Sequence, residues 1–213
     1  MSKITKIEVQ KRNKNRVNVF IDEEFAFACD GELVYKCNLN VKEEIELSKI
    51  ESIVKEDNFI KCKNSALRVI EKAHKTEKEI IDKLILKGFD KNSIEKTIKF
   101  LKEYNFINDN KFVEIFVKDK IKNQGRKKIK YSLLKKGVSE DLIEDKINNI
   151  DSNVEETSAY SLCLKKYNNL IKREEDKYKL YQKLYRFLAS KGYSYSCISD
   201  TVKKVMNTDD FME

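Results

Sequence analysis

Apolar residues recur at fixed distances around three glycines, Gly88, Gly137 and Gly192, which lie roughly fifty residues apart. A leucine lies four residues before each glycine, and an isoleucine lies six residues after it. The apolar residues at helical spacing before each glycine predict the buried face of a helix that ends there. The apolar residues after it, at the sixth, tenth and thirteenth positions, predict one face of the next helix. Self-similarity with this period is typical of tandem repeat proteins.

The residues at each turn also fit a helix, a tight turn and a second helix. Glycine directly after a helix readily adopts the left-handed conformation that ends it. Asp90, Ser139 and Ser194 each come two residues after a glycine, and Asp and Ser are preferred N-caps. The segment Thr76–Glu79 has the capping-box pattern that opens a helix. The sequence therefore predicts a mainly α fold built from three tandem three-helix repeats.

The first part of the chain has a different pattern. Apolar residues nearly alternate in residues 4–9 and 17–21, which predicts two antiparallel strands joined by a polar, Asn-rich turn. Residues 25–28 form a third candidate strand. Together they predict a small N-terminal β-hairpin or sheet, which must pack on a neighbour because an isolated hairpin is only marginally stable.

The joint between this sheet and the first repeat has a weaker pattern. We expect a short helix over residues 32–37 and another from about residue 48 to 54, which Asp57 and Asn58 end or interrupt. The chain then divides into an N-terminal segment and three helical repeats, with the bounds 1–58, 59–107, 108–150 and 151–213.

The formal net charge of +8 is concentrated between residues 118 and 137. That segment has a single anion, Asp119, whereas the rest of the chain has equal numbers of cations and anions. Such a patch attracts phosphate backbones or an acidic protein groove. The alternative is a solvated helix face on a lysine-rich protein. The candidate partner- or nucleic-acid-binding residues are the nine cations of the segment: Lys118, Lys120, Lys122, Arg126, Lys127, Lys128, Lys130, Lys135 and Lys136.

The sequence contains no constellation for catalysis, a metal or a cofactor. His74 is the only histidine, and none of the five cysteines forms a CxxC pair, so we expect neither a zinc site nor a disulfide framework. No glycine-rich phosphate loop is present. We therefore expect no enzyme activity and no cofactor. The lack of an apolar span or signal peptide favours a cytoplasmic protein without membrane association.

Aromatic residues are concentrated in the second helix of the third repeat, at Tyr178, Tyr181, Tyr185 and Phe187. At helical spacing this pattern favours a core face over a base-stacking surface. Tyrosine hydroxyls at the rim of such a core can still face a partner.

Three blocks in the central half of the chain carry a resemblance to a known family. They are Thr76-Glu77-Lys78-Glu79-Ile80 with Leu84 and Lys87-Gly88-Phe89; Phe106-Ile107-Asn108-Asp109-Asn110-Lys111-Phe112; and Gln124-Gly125-Arg126-Lys127-Lys128-Ile129 with Leu133 and Lys136-Gly137-Val138. In this order they resemble the RecX family of bacterial regulators of the RecA recombinase. The third repeat and the N-terminal strands fit the longer members. Lys75 and Asn108-Asp109 stand where the family often has Arg and an Asp-Asp pair.

The resemblance implies tandem three-helix units in an elongated, curved array. It also implies a protein that binds the RecA–DNA filament in its helical groove and limits ATP turnover and strand exchange. The expected partners are the RecA filament and DNA, contacted directly or through the filament, and the expected state is a monomer. The implied processes are homologous recombination, DNA repair and the SOS response.

Two other functions remain as alternatives at this point. The first is an autonomous basic helical DNA-binding protein of the helix-turn-helix type, because a glycine turn between two short helices fits that motif. The acidic residues in the third helix of the second repeat oppose this alternative, since a recognition helix presents donors to bases. The second is a helical adaptor with no nucleic-acid partner, which the neutral remainder of the chain allows.

Overall fold

The computed structural model of the protein describes residues 2–207, which form four strands and ten helices. The described residues divide into two compact units, one with residues 2–75 and 80–107 and the other with residues 76–79 and 108–207. None of the helices in residues 2–207 combines the length and the apolar character needed to cross a membrane. The elements are β1 (Ser2–Val9), β2 (Arg16–Ile21), β3 (Glu24–Asp30), α1 (Gly31–Lys36), β4 (Glu44–Ile45), α2 (Leu47–Ile70), α3 (Glu77–Leu86), α4 (Lys91–Glu103), α5 (Asp109–Lys120), α6 (Arg126–Lys135), α7 (Glu140–Asn148), α8 (Ser152–Leu170), α9 (Lys177–Lys191) and α10 (Tyr195–Asn207).

The N-terminal strands form an antiparallel sheet in the order β3-β2-β1-β4. Val17 and Val19 of β2 and Phe27 and Cys29 of β3 are buried, which confirms the alternating pattern in the sequence. Strand β4 was not predicted, because a strand of two residues is too short to give a periodic pattern. Its place is set by pairing with β1.

Helix α2 runs through Asp57 and Asn58 without a break, so the expectation that these residues end or interrupt a helix is wrong. The buried carboxylate of Asp57 accepts hydrogen bonds from the Arg16 guanidinium at 2.9 and 3.0 Å and from the Asp30 amide at 2.9 Å. The Nζ atom of Lys61, one turn further along α2, lies 2.7 Å from the same carboxylate. Asp57 therefore anchors α2 to the sheet through contacts that a local sequence pattern does not show.

The three repeat glycines close their helices in the same way. Gly88, Gly137 and Gly192 have φ values of +80°, +77° and +88°, in the left-handed region. Each glycine N–H donates to the carbonyl three residues earlier, and the next N–H donates to the carbonyl five residues earlier. This pair of bonds is a Schellman motif, which satisfies carbonyls that the helix end would otherwise leave unpaired. The predicted helix, glycine turn and helix are thus confirmed in all three repeats.

The residues after these turns begin the next helices as predicted. The carboxylate of Asp90 accepts a 2.9 Å bond from the Ser93 amide at the start of α4. The hydroxyl of Ser194 accepts a 3.2 Å bond from the Cys197 amide at the start of α10. Ser139 occupies the N-cap of α7, but its side chain makes no capping bond.

Each repeat buries its own apolar cluster. Helices α2, α3 and α4 enclose one, helices α5, α6 and α7 a second, and helices α8, α9 and α10 a third. In the third cluster the buried face of α9 consists of Leu180, Leu184 and Leu188, at intervals of four residues. Tyr178 is 70% exposed, so the prediction that the aromatic residues of this helix belong to the core is wrong for Tyr178. The leucine stripe takes the core, and Tyr181, Tyr185 and Phe187 pack at its edge.

Candidate partner-binding surface

The nine cations predicted to bind a partner lie on two helices of the second unit and in the turn between them. Lys118 and Lys120 are in the last turn of α5, and Lys122 follows in the turn. The remaining six lie on α6 and at its C-cap: Arg126, Lys127, Lys128, Lys130, Lys135 and Lys136. A cationic first turn opposes the helix dipole of α6. The Glu155 carboxylate offsets this, because it accepts a 2.9 Å hydrogen bond from the Arg126 amide at the N-terminus of α6.

Arg126 is engaged inside the protein. Its Nε atom lies 2.8 Å from the second oxygen of Glu155, whose side chain is only 13% exposed. Its Nη2 atom donates a 2.9 Å hydrogen bond to the Ile150 carbonyl. This guanidinium therefore joins α6 to the start of the third repeat, and Glu155 compensates its charge.

Three lysines of the set also pair with carboxylates. Lys130 bridges Glu140 and Glu144 of α7 at 2.6 and 2.7 Å, and these hydrogen bonds raise the pKa of Lys130. Lys136 lies 2.6 Å from Glu79, and both side chains are half-buried. Lys120 pairs at 2.8 Å with the adjacent Asp119, an exposed contact of small value.

The other five lysines have no ion-pair partner within residues 2–207. Lys118, Lys122 and Lys127 are exposed, and their side chains form no hydrogen bond or ion pair in that range. The Nζ atom of Lys128 donates a 3.0 Å hydrogen bond to the Ser190 carbonyl, which leaves its charge uncompensated. The Nζ atom of Lys135 lies 4.8 Å from the centre of the Tyr131 ring. We call Lys118, Lys122, Lys127, Lys128 and Lys135 the unpaired lysines.

An open groove borders the unpaired lysines of α6. Lys127, Lys128 and Tyr131 form one wall, and Tyr185 and Tyr195 lie on the other. We call this the tyrosine groove. The sequence pattern indicates Tyr185 as a candidate, but it does not indicate Tyr131 or Tyr195. The available signal for Tyr131 was the spacing of Lys128, Tyr131 and Lys135, which places all three on one side of a helix.

Helix α7 does not fit the role of a DNA-reading helix. Its exposed residues include Glu140, Asp141, Glu144 and Asp145. Carboxylates facing a duplex repel its phosphates. Within residues 2–207, no group of three or more His, Cys, Asp or Glu side chains has the arrangement of a metal site.

Comparison with known proteins gives matches over nearly the whole chain. Residues 2–46 match the regulatory protein RecX N-terminal domain, residues 62–101 the first RecX three-helix domain, residues 108–147 the second and residues 154–202 the third. "Regulatory protein RecX" of Clostridium perfringens (strain SM101 / Type A) is 57% identical over 213 residues, which is 100% of both chains. The protein of the same name from Clostridioides difficile (strain 630) is 37% identical over 213 residues, with 99% of each chain covered.

Solved structures agree with the sequence matches. A crystal structure of regulatory protein RecX has a TM-score of 0.73 and 26% identity, and the comparison covers 96% of this chain and 100% of that one. The crystal structure of RecX from Lactobacillus salivarius has a TM-score of 0.63 and 26% identity over 70% of this chain and 97% of that one. With four RecX domains in order and relatives that match from end to end, the chain belongs to the RecX family of regulatory proteins.

Proposed function

We propose that this protein is a negative regulator of the RecA recombinase, which binds the RecA–DNA filament in its groove and limits ATP turnover and strand exchange. The observation that carries the proposal is the 57% identity to a regulatory protein RecX over the full length of both chains. The protein acts as a cytoplasmic monomer, by binding and not by catalysis.

The charge distribution supports a filament as the partner. A nucleoprotein filament presents phosphates and acidic protein surface, to which the unpaired lysines are complementary. They form no close ion pair within residues 2–207, because Glu114 and Asp119 attract Lys118 and Lys122 only from a distance. Their charge is therefore available to a partner. Arg126, Lys130 and Lys136 already form ion pairs inside the protein, so we assign them a structural role in holding this surface in place.

The structure of α7 favours the filament over independent reading of duplex DNA. The acidic residues Glu140, Asp141, Glu144 and Asp145 on this helix disfavour its insertion into a major groove. We therefore assign DNA contacts to the surface formed by the unpaired lysines, which we call the lysine surface. Such a surface attracts phosphates without reading sequence.

The test is the DNA-dependent ATPase rate of the cognate recombinase, with this protein titrated in at physiological salt. A fall in ATP turnover at concentrations below that of the recombinase is the expected result, since a bound regulator then limits many subunits of a filament. A fall only when the protein saturates the DNA would indicate competition for DNA, and an unchanged rate would overturn the proposal.

A triple charge reversal tests the lysine surface separately. Lys118→Glu, Lys122→Glu and Lys127→Glu should raise the concentration for half-maximal inhibition by roughly tenfold or more, because three attractive charges become repulsive. The matched control reverses three exposed cations of the β1–β2 turn: Lys11→Glu, Arg12→Glu and Lys14→Glu. Equal effects of both triple variants would remove the unpaired lysines from the mechanism.

A further inference from the structure

The tyrosine groove has two walls whose chemistry differs from that of the rest of the lysine surface. On α6, Lys128, Tyr131 and Lys135 lie along one side of the helix, and Lys135 contacts the Tyr131 ring at 4.8 Å. The Tyr131 side of the groove is open to solvent, since this residue is 59% exposed. An exposed aromatic ring on the wall that also carries Lys127 and Lys128 is therefore available to a ligand.

The opposite wall carries Tyr185 of α9 and Tyr195 of α10, and Tyr181 stacks on Tyr185 outside the groove lining. The ring of Tyr185 lies 6.3 Å from that of Tyr181 and 6.1 Å from that of Tyr195. Tyr195 is 72% exposed. Exposed aromatic rings leave apolar area in water, which a stacked ligand would cover.

The two walls are held together by backbone bonds. The Gly125 amide donates to the Lys191 carbonyl at 3.0 Å, and the Lys127 amide donates to the Gly192 carbonyl at 3.2 Å. The Lys128 side chain reaches across to the Ser190 carbonyl at 3.0 Å. The backbones of the two walls thus keep a fixed spacing. A preorganised framework loses less entropy when a ligand binds.

We propose that the tyrosine groove binds single-stranded nucleic acid, with bases stacked on Tyr131, Tyr185 and Tyr195 and phosphates beside Lys127 and Lys128. Every base has a π-face, so tyrosine platforms beside cations bind a single strand with little sequence preference. No residue that lines the groove within residues 2–207 is acidic, which suits a polyanion. The proposal goes beyond the regulation of a recombinase and does not require it.

Two other ligands fit the groove less well. A duplex keeps its bases stacked on one another, so their faces cannot reach the tyrosines. An acidic peptide would satisfy the lysines but would leave the exposed rings of Tyr131 and Tyr195 without a matching group.

The experiment measures binding of fluorescently labelled oligonucleotides to the full chain by anisotropy, without any recombinase. Oligothymidylate and oligouridylate of about fifteen nucleotides, a length within known single-strand sites, are compared with an abasic strand of equal length and charge. We expect at least one base-containing strand to bind roughly tenfold or more tightly than the abasic strand, because only bases stack. The tighter of the two identifies DNA or RNA as the source of the ligand.

Variants assign the binding to the groove. Replacing two rings in Tyr131→Leu/Tyr195→Leu should remove most of the preference for bases, whereas Tyr35→Leu, at a tyrosine 85% exposed outside the groove, should not. Lys127→Gln/Lys128→Gln should weaken the binding of all strands and reduce the salt dependence.

Three results would overturn the proposal. They are equal affinity for the abasic and base-containing strands, an unchanged base preference in the double tyrosine variant, and displacement of the strands by polyglutamate at matched charge concentration. The last of these would indicate an acidic peptide site. An inactive protein in the ATPase assay would leave this binding result unaffected, so the two proposals fail separately.

Discussion

Gly125 and Gly192 lie in direct backbone contact in the second unit. A Cβ atom on Gly125 would fall 2.5 Å from both the Gly192 carbonyl oxygen and the Tyr193 nitrogen. The contact seats the glycine turn of the third repeat on the N-terminus of α6. A related joint occurs at Gly137, where an added Cβ would overlap the Lys78 side chain. Gly137 and Gly192 therefore each have two roles, since they end a helix and also let another helix approach closely.

We predict that Gly125→Ala lowers the free energy of unfolding by about 3 kcal/mol, the upper end of the range for overpacked sites. The cause is steric, because Gly125 has a φ of −78°, which alanine adopts without strain. Urea unfolding followed by circular dichroism measures the change.

Gly88→Ala provides the control, because it separates backbone strain from steric overlap. Gly88 has a φ of +80°, and no described atom lies within 4 Å of an added Cβ. Its substitution should cost only the left-handed conformation, roughly 1–2 kcal/mol. If Gly125→Ala proved the milder of the two, the close contact with Gly192 would be contradicted.

Thr76 gives a second prediction, because it lies where the start of α3 contacts the glycine turn at Gly137. Its hydroxyl donates to the Lys136 carbonyl at 2.7 Å and accepts from the Glu79 amide at 3.2 Å. Thr76→Val keeps the shape but removes both bonds and leaves the carbonyl without this donor. We expect a loss of about 2–3 kcal/mol in the free energy of unfolding, from the lost cap and the unsatisfied buried group.

Thr76→Ser is the matched control, since it keeps the hydroxyl and loses only a methyl group, worth about 1 kcal/mol. Chemical denaturation of both variants gives the comparison. Equal losses for Val and Ser would mean that packing of the methyl, and not the hydroxyl, holds this joint.

Local features of the fold could be predicted because each follows from neighbouring residues. The glycine turns and the capping box at Thr76 and Glu79 depend on residues a few positions apart, and the structure confirms them. The role of Asp57 could not be predicted, because its partner Arg16 is 41 residues away. An Asp followed by an Asn is a local pattern that predicts the end of a helix. Here a distant guanidinium instead satisfies the carboxylate in the middle of a helix.

In the candidate site too, features set by nearby residues could be predicted, whereas contacts with distant residues could not. The sequence reveals nine cations in one segment, but it does not reveal which of them face carboxylates from elsewhere in the chain. Glu155 pairs with Arg126 from 29 positions away, and Glu79 pairs with Lys136 from 57 positions away. Tyr195 likewise joins Tyr131 in the groove only because α10 folds beside α6.

Arg126 and Lys127 are neighbours in sequence, but we predict that only the substitution of Arg126 lowers the stability of the fold substantially. Arg126→Gln should lower the free energy of unfolding by about 1–3 kcal/mol, since Glu155 is left half-buried without its guanidinium. Lys127→Gln should change it by about 0.5 kcal/mol or less, because the side chain is exposed. Thermal unfolding distinguishes them.

For the binding of oligonucleotides and filaments, we expect Lys127→Gln to have the larger effect and Arg126→Gln the smaller one. Lys127→Gln should weaken binding and reduce its dependence on salt, whereas folded Arg126→Gln should bind nearly as the wild type does. Stronger weakening by Arg126→Gln, measured at a temperature where it is fully folded, would contradict the assignment of Arg126 as an internal brace.

Asp57 gives a prediction about acid stability. Burial favours its neutral form, but the hydrogen bonds from Arg16 and Lys61 outweigh burial and hold the pKa of Asp57 below its ordinary value. A carboxyl whose pKa is lower in the folded state stabilises the protein above its unfolded pKa, near 4. This stabilisation is lost as the pH falls from about 4 through the lowered folded pKa.

Asp57→Asn should therefore cost about 3–5 kcal/mol at pH 7, since it leaves Arg16 without its buried counter-charge. The difference from the wild type should narrow as the pH falls below about 4, because the wild-type carboxyl then becomes protonated as well. Asp82→Asn, at an exposed position of α3, should match the wild type at both pH values. Urea midpoints at pH 7 and pH 3 measure these differences. A gap between Asp57→Asn and the wild type that stayed constant with pH would show that the ionised carboxylate is not what anchors α2 to the sheet.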